Sequence, residues 1–461
     1  MRYNVILVPM CGLIMSLAEL SLHGESTNTI SSSAGSIEKI CDQVADIRGL
    51  KFKNKVSTAV QTKAQFKEYI GREIIKQYGS MSAFDDYCKA LIKLGALKAG
   101  IDAGMVQEMY LSQAAAHYDP QTGTYYLLMS DVTGAALDMV VSHELCHALQ
   151  DQHFCLTNFV EGSKSTSLDN QDQQYAKQSL CEGDATVVMM VYGMKSGMGG
   201  LPDDDALLEQ SVSLALKMQA EIGFDGILNM ANSGLLEGDA VMGRQIDDMK
   251  KYPRFFMDLL VNAYLYGSVL VDQVRQTGGW AAVNKLYTSP PLSSEQIMHP
   301  EKYISTKDMP VDVRIADLMS RLSTGWRLVE EDVMGEIGIA ALFKVWPATA
   351  TSAVQSAAKK AAAGWAGDRY YYLLNAQGES CLVWKTVWDS EGDVREFVEA
   401  YSGFVKDRFE PDPISEKSEY GGKVQTMWRV TDSRYITLIA DSKAKTALVL
   451  DSPDRSIPKK F

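Results

Sequence analysis

Two histidines four residues apart, with a glutamate directly after the first, form the stretch His143-Glu144-Leu145-Cys146-His147. On a helix, positions four apart share a face, so both imidazoles can reach one metal ion. Glu144, about 100° further round the axis, can reach a water molecule at that ion. The pattern therefore constrains the fold as well as the chemistry, because the spacing has this consequence only on a rigid helix. The flanks agree. Residues 135–142 and 148–152 contain neither Pro nor Gly and read as one buried helix. The competing reading is a core helix with two satisfied histidines. With only 6 His and 58 acidic residues in 461, chance rarely produces this spacing, and the metal reading is preferred.

A hydrolytic zinc site keeps three protein ligands and leaves the fourth position to water, so a third ligand is needed. Three residues compete for the role. His153 has the spacing of the pattern HExxHxxGxxH, but Gln150 stands at its glycine position. Six helical residues turn His153 about 240° from His147, and only a sharp chain reversal of the kind glycine permits would bring it back. Glu182 lies within 172–194, which reads as a helix that is polar at its start and strongly apolar over 187–191, as expected of a helix packed across the first. Glu237 belongs to a second Glu-Gly-Asp-Ala stretch, but its surroundings at 229–234 read as a loop that would hold a carboxylate less rigidly. Cys146 reads as a small packing residue beside the ligand stripe.

On these residues the chain resembles gluzincin-type zinc metallopeptidases, in which HExxH on one helix is completed by a Glu on a later one. The runs 143–154, 182–186, 278–280 and 290–303 are similar to a largely uncharacterised group of secreted bacterial proteins with this core. The resemblance implies Zn2+ held by His143, His147 and Glu182. Glu144 would then be the general base in peptide-bond hydrolysis, and a strand ahead of the metal helix would pair with an extended peptide substrate. It also implies a donor for the oxyanion of the tetrahedral intermediate downstream of Glu182. His299, in a loop stiffened by prolines, and Tyr264, on an apolar helix, are the candidates, with His299 narrowly preferred. One departure stands out. Many gluzincins carry Asp four residues after the ligand Glu, where this chain has Thr186, and Asp184 is the available substitute for the supporting carboxylate. The alternative from another class is a zincin fold without catalysis, serving as a binding or cell-envelope structural module. The intact Glu144 argues against it.

The predicted fold class is α+β. Residues 37–304 are expected to form a mainly helical zincin-like domain with a small substrate-binding sheet, followed over 305–461 by a smaller α+β domain with an antiparallel sheet. Upstream of the metal helix, 114–129 reads as strand, turn, strand, with Asp119-Pro120 and Gly123 marking the reversal and His117 as a hairpin residue. Residues 37–303 otherwise read as helical, with breaks at 197–200 and 202–205. In the second domain, helices are expected near 311–322, 335–344 and 392–407, and strands at 370–375, 381–388, 427–430, 435–440 and 447–450. Residues 364–369 read as a structural turn packed by Trp365 in preference to a binding turn.

Arg2, the apolar run 5–15 and the small residues around Ala18 match a signal peptide over 1–18, with a polar linker over 19–36. The expected location is secreted or periplasmic, and no apolar run in the mature chain is long enough to span a bilayer. Export permits disulfides, and a Cys155–Cys181 bridge, clamping the two halves of the site, competes with free buried thiols. The net charge of 45 minus 58, or -13, argues against nucleic acid and anionic membranes as partners and says little about substrate; a peptide or protein substrate is what the resemblance implies.

Overall fold

A computed structural model describes residues 34–128, 134–161, 170–197, 205–232, 249–322, 325–347 and 351–461. The predicted leader, most of the predicted linker, and Glu237 lie outside them. The chain is α+β, as predicted. Its first part runs α1 (Ala34–Arg48), β1 (Ser57–Gln61), α2 (Lys63–Tyr78), α3 (Met81–Leu94), α4 (Ala103–Gln113), β2 (Ala116–Asp119), β3 (Thr124–Leu128), α5 (Gly134–Phe154), α6 (Leu156–Glu161), α7 (Gln171–Gly197), α8 (Asp205–Asn232) and α9 (Arg254–Leu286). Two short helices, α10 (Ser294–Met298) and α11 (Pro300–Ile304), lead to the second part.

The hairpin β2–β3 forms where Asp119-Pro120 and Gly123 mark it, with Asp119 Oδ1 accepting from the Gln121 amide at 2.9 Å and Gly123 at φ 63°. Its sheet has a third strand that the sequence reading omits. β1 pairs parallel with β3, giving the order β1-β3-β2, and β2 lies antiparallel on the edge nearest α5. α9 is long and apolar enough, by length and composition, to cross a membrane. In this fold it is a core helix, with 78% of that stretch buried inside the molecule. The helix α8 runs to Asn232, so 229–232 are helical and not the loop that the sequence suggests.

The second part contains α12 (Leu318–Arg321), β4 (Arg327–Asp332), α13 (Gly335–Leu342), α14 (Ser352–Ala362), β5 (Trp365–Leu374), β6 (Ser380–Trp388), α15 (Glu391–Arg408), β7 (Ile414–Tyr420), β8 (Lys423–Thr431), β9 (Arg434–Asp441) and β10 (Thr446–Ser452). Seven strands form one antiparallel sheet in the order β4-β5-β6-β10-β9-β8-β7. α15 covers one face, with Phe397 and Tyr401 against Trp384 and Trp388. Where a turn was expected at 364–369, Trp365 begins β5, and a bulge between Trp365 and Gly367 lets its buried indole donate to Asp368 at 2.9 Å. The helix expected over 311–322 shrinks to α12, because Val311 instead donates its amide to the Ala366 carbonyl at 2.7 Å.

The two parts share one continuous apolar core. Polar clamps add to it: Lys93 on α3 meets the buried Asp451 on β10 at 2.8 Å, and the Gln171 amide at the start of α7 donates to Asp332 Oδ1 at 2.9 Å.

Candidate metal centre

α5 and α7 cross so that their two histidines and one glutamate converge. His143 Nε2 lies 3.2 Å from Glu182 Oε2, His147 Nε2 lies 3.3 Å from the same oxygen, and the two imidazole nitrogens are 3.0 Å apart. All three residues are buried. Helical spacing places the imidazoles, and a pair of glycines places the carboxylate. Gly183, directly after Glu182, faces Gly267 of α9 so closely that a Cβ on Gly183 would stand 2.1 Å from the Gly267 carbonyl carbon. Only residues without side chains allow the two backbones this approach. The same crossing brings Tyr264, one turn before Gly267, against the site, with its ring 5.8 Å from that of His143.

The donor set fits a metal ion. Two imidazole nitrogens and a carboxylate oxygen are the ligand chemistry of zinc. The two facing nitrogens can share only one proton between them, and Glu182 Oε1 is buried with no hydrogen-bond partner among the described residues. Burial and mutual charge shift the three groups in different senses. Burial pushes the His143 imidazole down to about 4. Burial acts in the same sense on His147, but the Glu182 carboxylate outweighs it and lifts that ring to about 9. Burial would raise Glu182, yet the charge on His147 holds it down to about 2. A buried carboxylate facing two imidazole nitrogens at 3.2 and 3.3 Å makes a place where a cation is electrostatically favoured.

Glu144 follows His143 round the axis of α5. Its Oε2 accepts the Tyr118 backbone amide of β2 at 2.8 Å, and its Oε1 is buried and has no partner among the described residues. Burial pushes its carboxyl up to about 8. The resemblance implied that a strand ahead of the metal helix would pair with an extended substrate. β2 does lie beside the site, but it is buried along its length, and its Tyr118 amide is taken up by Glu144.

Gln150 has a role that sequence reasoning missed. Its Oε1 accepts from His147 Nδ1 at 2.9 Å, while its Nε2 donates to the Cys181 carbonyl of α7 at 3.0 Å. The residue that breaks the HExxHxxGxxH pattern thus fixes the tautomer of one ligand and ties the two ligand helices together. Its position three residues after His147, where a helix brings side chains together, was the available signal.

Other expectations are corrected. Asp184 does not support a ligand histidine. It takes a bidentate contact from the buried Arg48 at 2.8 and 3.1 Å and the Tyr287 hydroxyl at 2.8 Å. His153 points away from the centre, its Nε2 2.8 Å from the Lys51 carbonyl. His299 bonds Glu336 Oε1 of α13 at 2.9 Å. It follows Ser294, whose amide bonds Asp172 at the start of α7, and Glu182 lies ten residues, roughly 15 Å, further along that helix. Of the two oxyanion candidates, the fold therefore brings Tyr264 to the centre and leaves His299 at the junction with the second part. His117 is a hairpin residue, as predicted, bonded to Gln61 Oε1 at 2.8 Å and packed between Phe66, Tyr69 and Tyr126. Cys155 and Cys181 are unbridged, because Cys181 is buried in the α5–α7 interface while Cys155 is exposed beyond the end of α5. The other four described cysteines are also free.

Residues 321–456 match the family described as "Domain of unknown function (DUF8575)". The chain is similar to a crystal structure of a proposed hydrolase with a novel fold from Chloroflexus aurantiacus, at 15% identity and a TM-score of 0.30, over 65% of this chain and 96% of that one. No curated protein matches the chain. The functional reading therefore rests on the site itself.

Proposed function

We propose that this chain is a zinc-dependent peptidase, exported by its leader and acting on peptide or protein substrates. The observation that carries the reading is the convergence of His143 Nε2, His147 Nε2 and Glu182 Oε2 beside a buried carboxylate whose Oε1 is unpaired. A zinc ion held there would polarise the scissile carbonyl and acidify the attacking water. Glu144 takes one proton from that water at Oε1, while the Tyr118 amide holds its other oxygen in place. The water oxygen ends on the acyl carbon, and Glu144 hands the proton to the departing amine, so that the carboxylate returns to its starting state. Gln150 keeps the proton of His147 on Nδ1, which would leave Nε2 free to hold the ion. Tyr264, stacked near His143, is the candidate donor to the oxyanion.

A second reading has one observation in its favour. Even His147, the least buried of the four, is only 3% exposed, and a structural zinc would sit in such a closed place. Glu144 is the difficulty for that reading, since a structural ion needs no carboxylate with an unpaired oxygen beside it. Zinc-loaded wild type and Glu144→Gln, incubated with a diverse peptide mixture and followed by mass spectrometry, separate the two. The peptidase reading expects wild type to cut and the variant to lose nearly all cutting. Absence of cleavage by wild type would leave the structural reading.

A further inference from the structure

The seven-stranded sheet of the second part has two edges, and they are built differently. β4, at one edge, is interrupted by a register shift between Leu328 and Glu330, the kind of irregularity that ends further pairing. β7, at the other, pairs with β8 in unbroken register from Ile414 to Tyr420 and contains no proline. All of its residues are exposed, with Ile414 at 70% and Tyr420 at 48%. Among the described residues, no strand lies on its outer side, where a row of backbone donors and acceptors is presented.

Charges on an edge strand usually keep other chains away. On β7 their order does the reverse for one partner. Side chains alternate across a strand, so Lys417 and Glu419 share the face that Thr426 and Trp428 of β8 turn towards α15, and Ser418 between them lies on the other. When two copies of one strand pair antiparallel about a two-fold axis, the residue on the axis meets its own copy, and residues equally spaced on either side meet each other. With Ser418 on the axis, Lys417 faces Glu419 of the second copy, and Glu419 faces Lys417 of the second copy. On the other face Tyr420 comes opposite Glu416 and diagonal to Ile414, which brings the two exposed apolar side chains of the strand together. No other axis does this. With Glu416, Lys417 or Glu419 there, a charge meets its own copy. With Tyr420 there, Lys417 meets Lys423, and with Ile414 or Ser415 there most of the strand is left unpaired.

We propose that β7 is a dimerisation edge: two copies of this chain join through antiparallel β7 strands about a two-fold axis at Ser418, and their sheets continue into one. The partner is a second copy because the strand is complementary to itself. Opposite charges one residue to either side of the axis form the same pair twice, which is the economy of a symmetric interface. The proposal is independent of the metal centre, which lies in the first part of the chain.

The test measures association directly. Sedimentation equilibrium of the purified chain is compared with that of Lys417→Glu, Glu419→Lys and the double variant Lys417→Glu/Glu419→Lys, with circular dichroism confirming that each is folded. Wild type should show a concentration-dependent dimer. Each single variant makes like charges meet twice and should raise the dissociation constant by roughly tenfold or more. The double variant restores opposite pairs with their order exchanged and should recover the wild-type constant. Wild type that stays monomeric would leave this edge to a strand of another protein and overturn the proposal. A dimer that neither single variant weakens, or one that the double variant does not recover, would place the contact elsewhere and overturn it as well.

Discussion

Glu144 is held at one oxygen and, among the described residues, unpaired at the other, the arrangement a proton carrier needs. Glu144→Gln keeps size and position but cannot take a proton. It should retain zinc and lose turnover by roughly a hundredfold or more, as measured by steady-state kinetics beside metal analysis. Gln150 makes a different prediction. Gln150→Ala removes the partner of His147 Nδ1, so zinc affinity should fall by about tenfold to a hundredfold in a competitive chelator titration, with the fold retained. At this scale the sequence was legible where spacing alone decides: His143, Glu144 and His147 stand where a helix must put them. Asp184 was misread because its real partner, Arg48, is distant in sequence and its contact is set by the packing of α1 on α7. His299 was misread for a similar reason: the stretch read as a proline-stiffened loop folds as α10 and α11 with His299 between them, and nothing local reveals that its ring will turn to Glu336.

At the scale of elements, the site depends on how closely α7 and α9 approach. A methyl group at Gly183 would collide with backbone atoms of α9, which cannot move aside as a flexible side chain would. Gly183→Ala should therefore destabilise the protein by about 1–3 kcal/mol or more, read from urea unfolding, and should weaken zinc binding by shifting Glu182. Helices were the legible elements. α5 is marked by the HExxH spacing within a stretch free of Pro and Gly, α7 by its polar start and apolar 187–191, and the β2–β3 hairpin by its turn chemistry. β1, β4 and β7 were missed, each for a physical reason. β1 is five residues long and owes its strand conformation to a parallel partner far along the chain. β4 pairs across a register shift. β7 is exposed at all seven positions, so no apolar alternation marks it.

Across the whole molecule, buried carboxylates hold the two parts together. Asp172 at the start of α7 accepts the Ser294 amide at 3.1 and 3.2 Å and lies beside Gly335 of α13. Burial, with Asp368 and Glu336 nearby, pushes its carboxyl up to about 7 from an ordinary 3.8. A folded-state value above the unfolded one means that the protonated form is the stabilising one. Its contribution is complete below the unfolded value, declines as the pH rises from about 4 to about 7, and is then gone. Asp172→Asn mimics the protonated acid, so its unfolding free energy relative to wild type should rise across that window by on the order of a few kcal/mol, measured by urea unfolding at several pH values. A constant difference would show that Asp172 does not titrate in this way. This coupling was invisible in the sequence, where the acids lie far apart and only the packing of α7 against α13 and β5 gathers them.

The account stands or falls on whether His143, His147 and Glu182 hold one ion. Metal content per chain, measured by inductively coupled plasma mass spectrometry on purified wild type, Glu182→Ala, His153→Ala and Glu237→Ala, tests this most directly. The account predicts one zinc in wild type, His153→Ala and Glu237→Ala, and loss of zinc in Glu182→Ala. Full zinc occupancy in Glu182→Ala, or wild type that takes up none from a zinc-containing buffer, would contradict it.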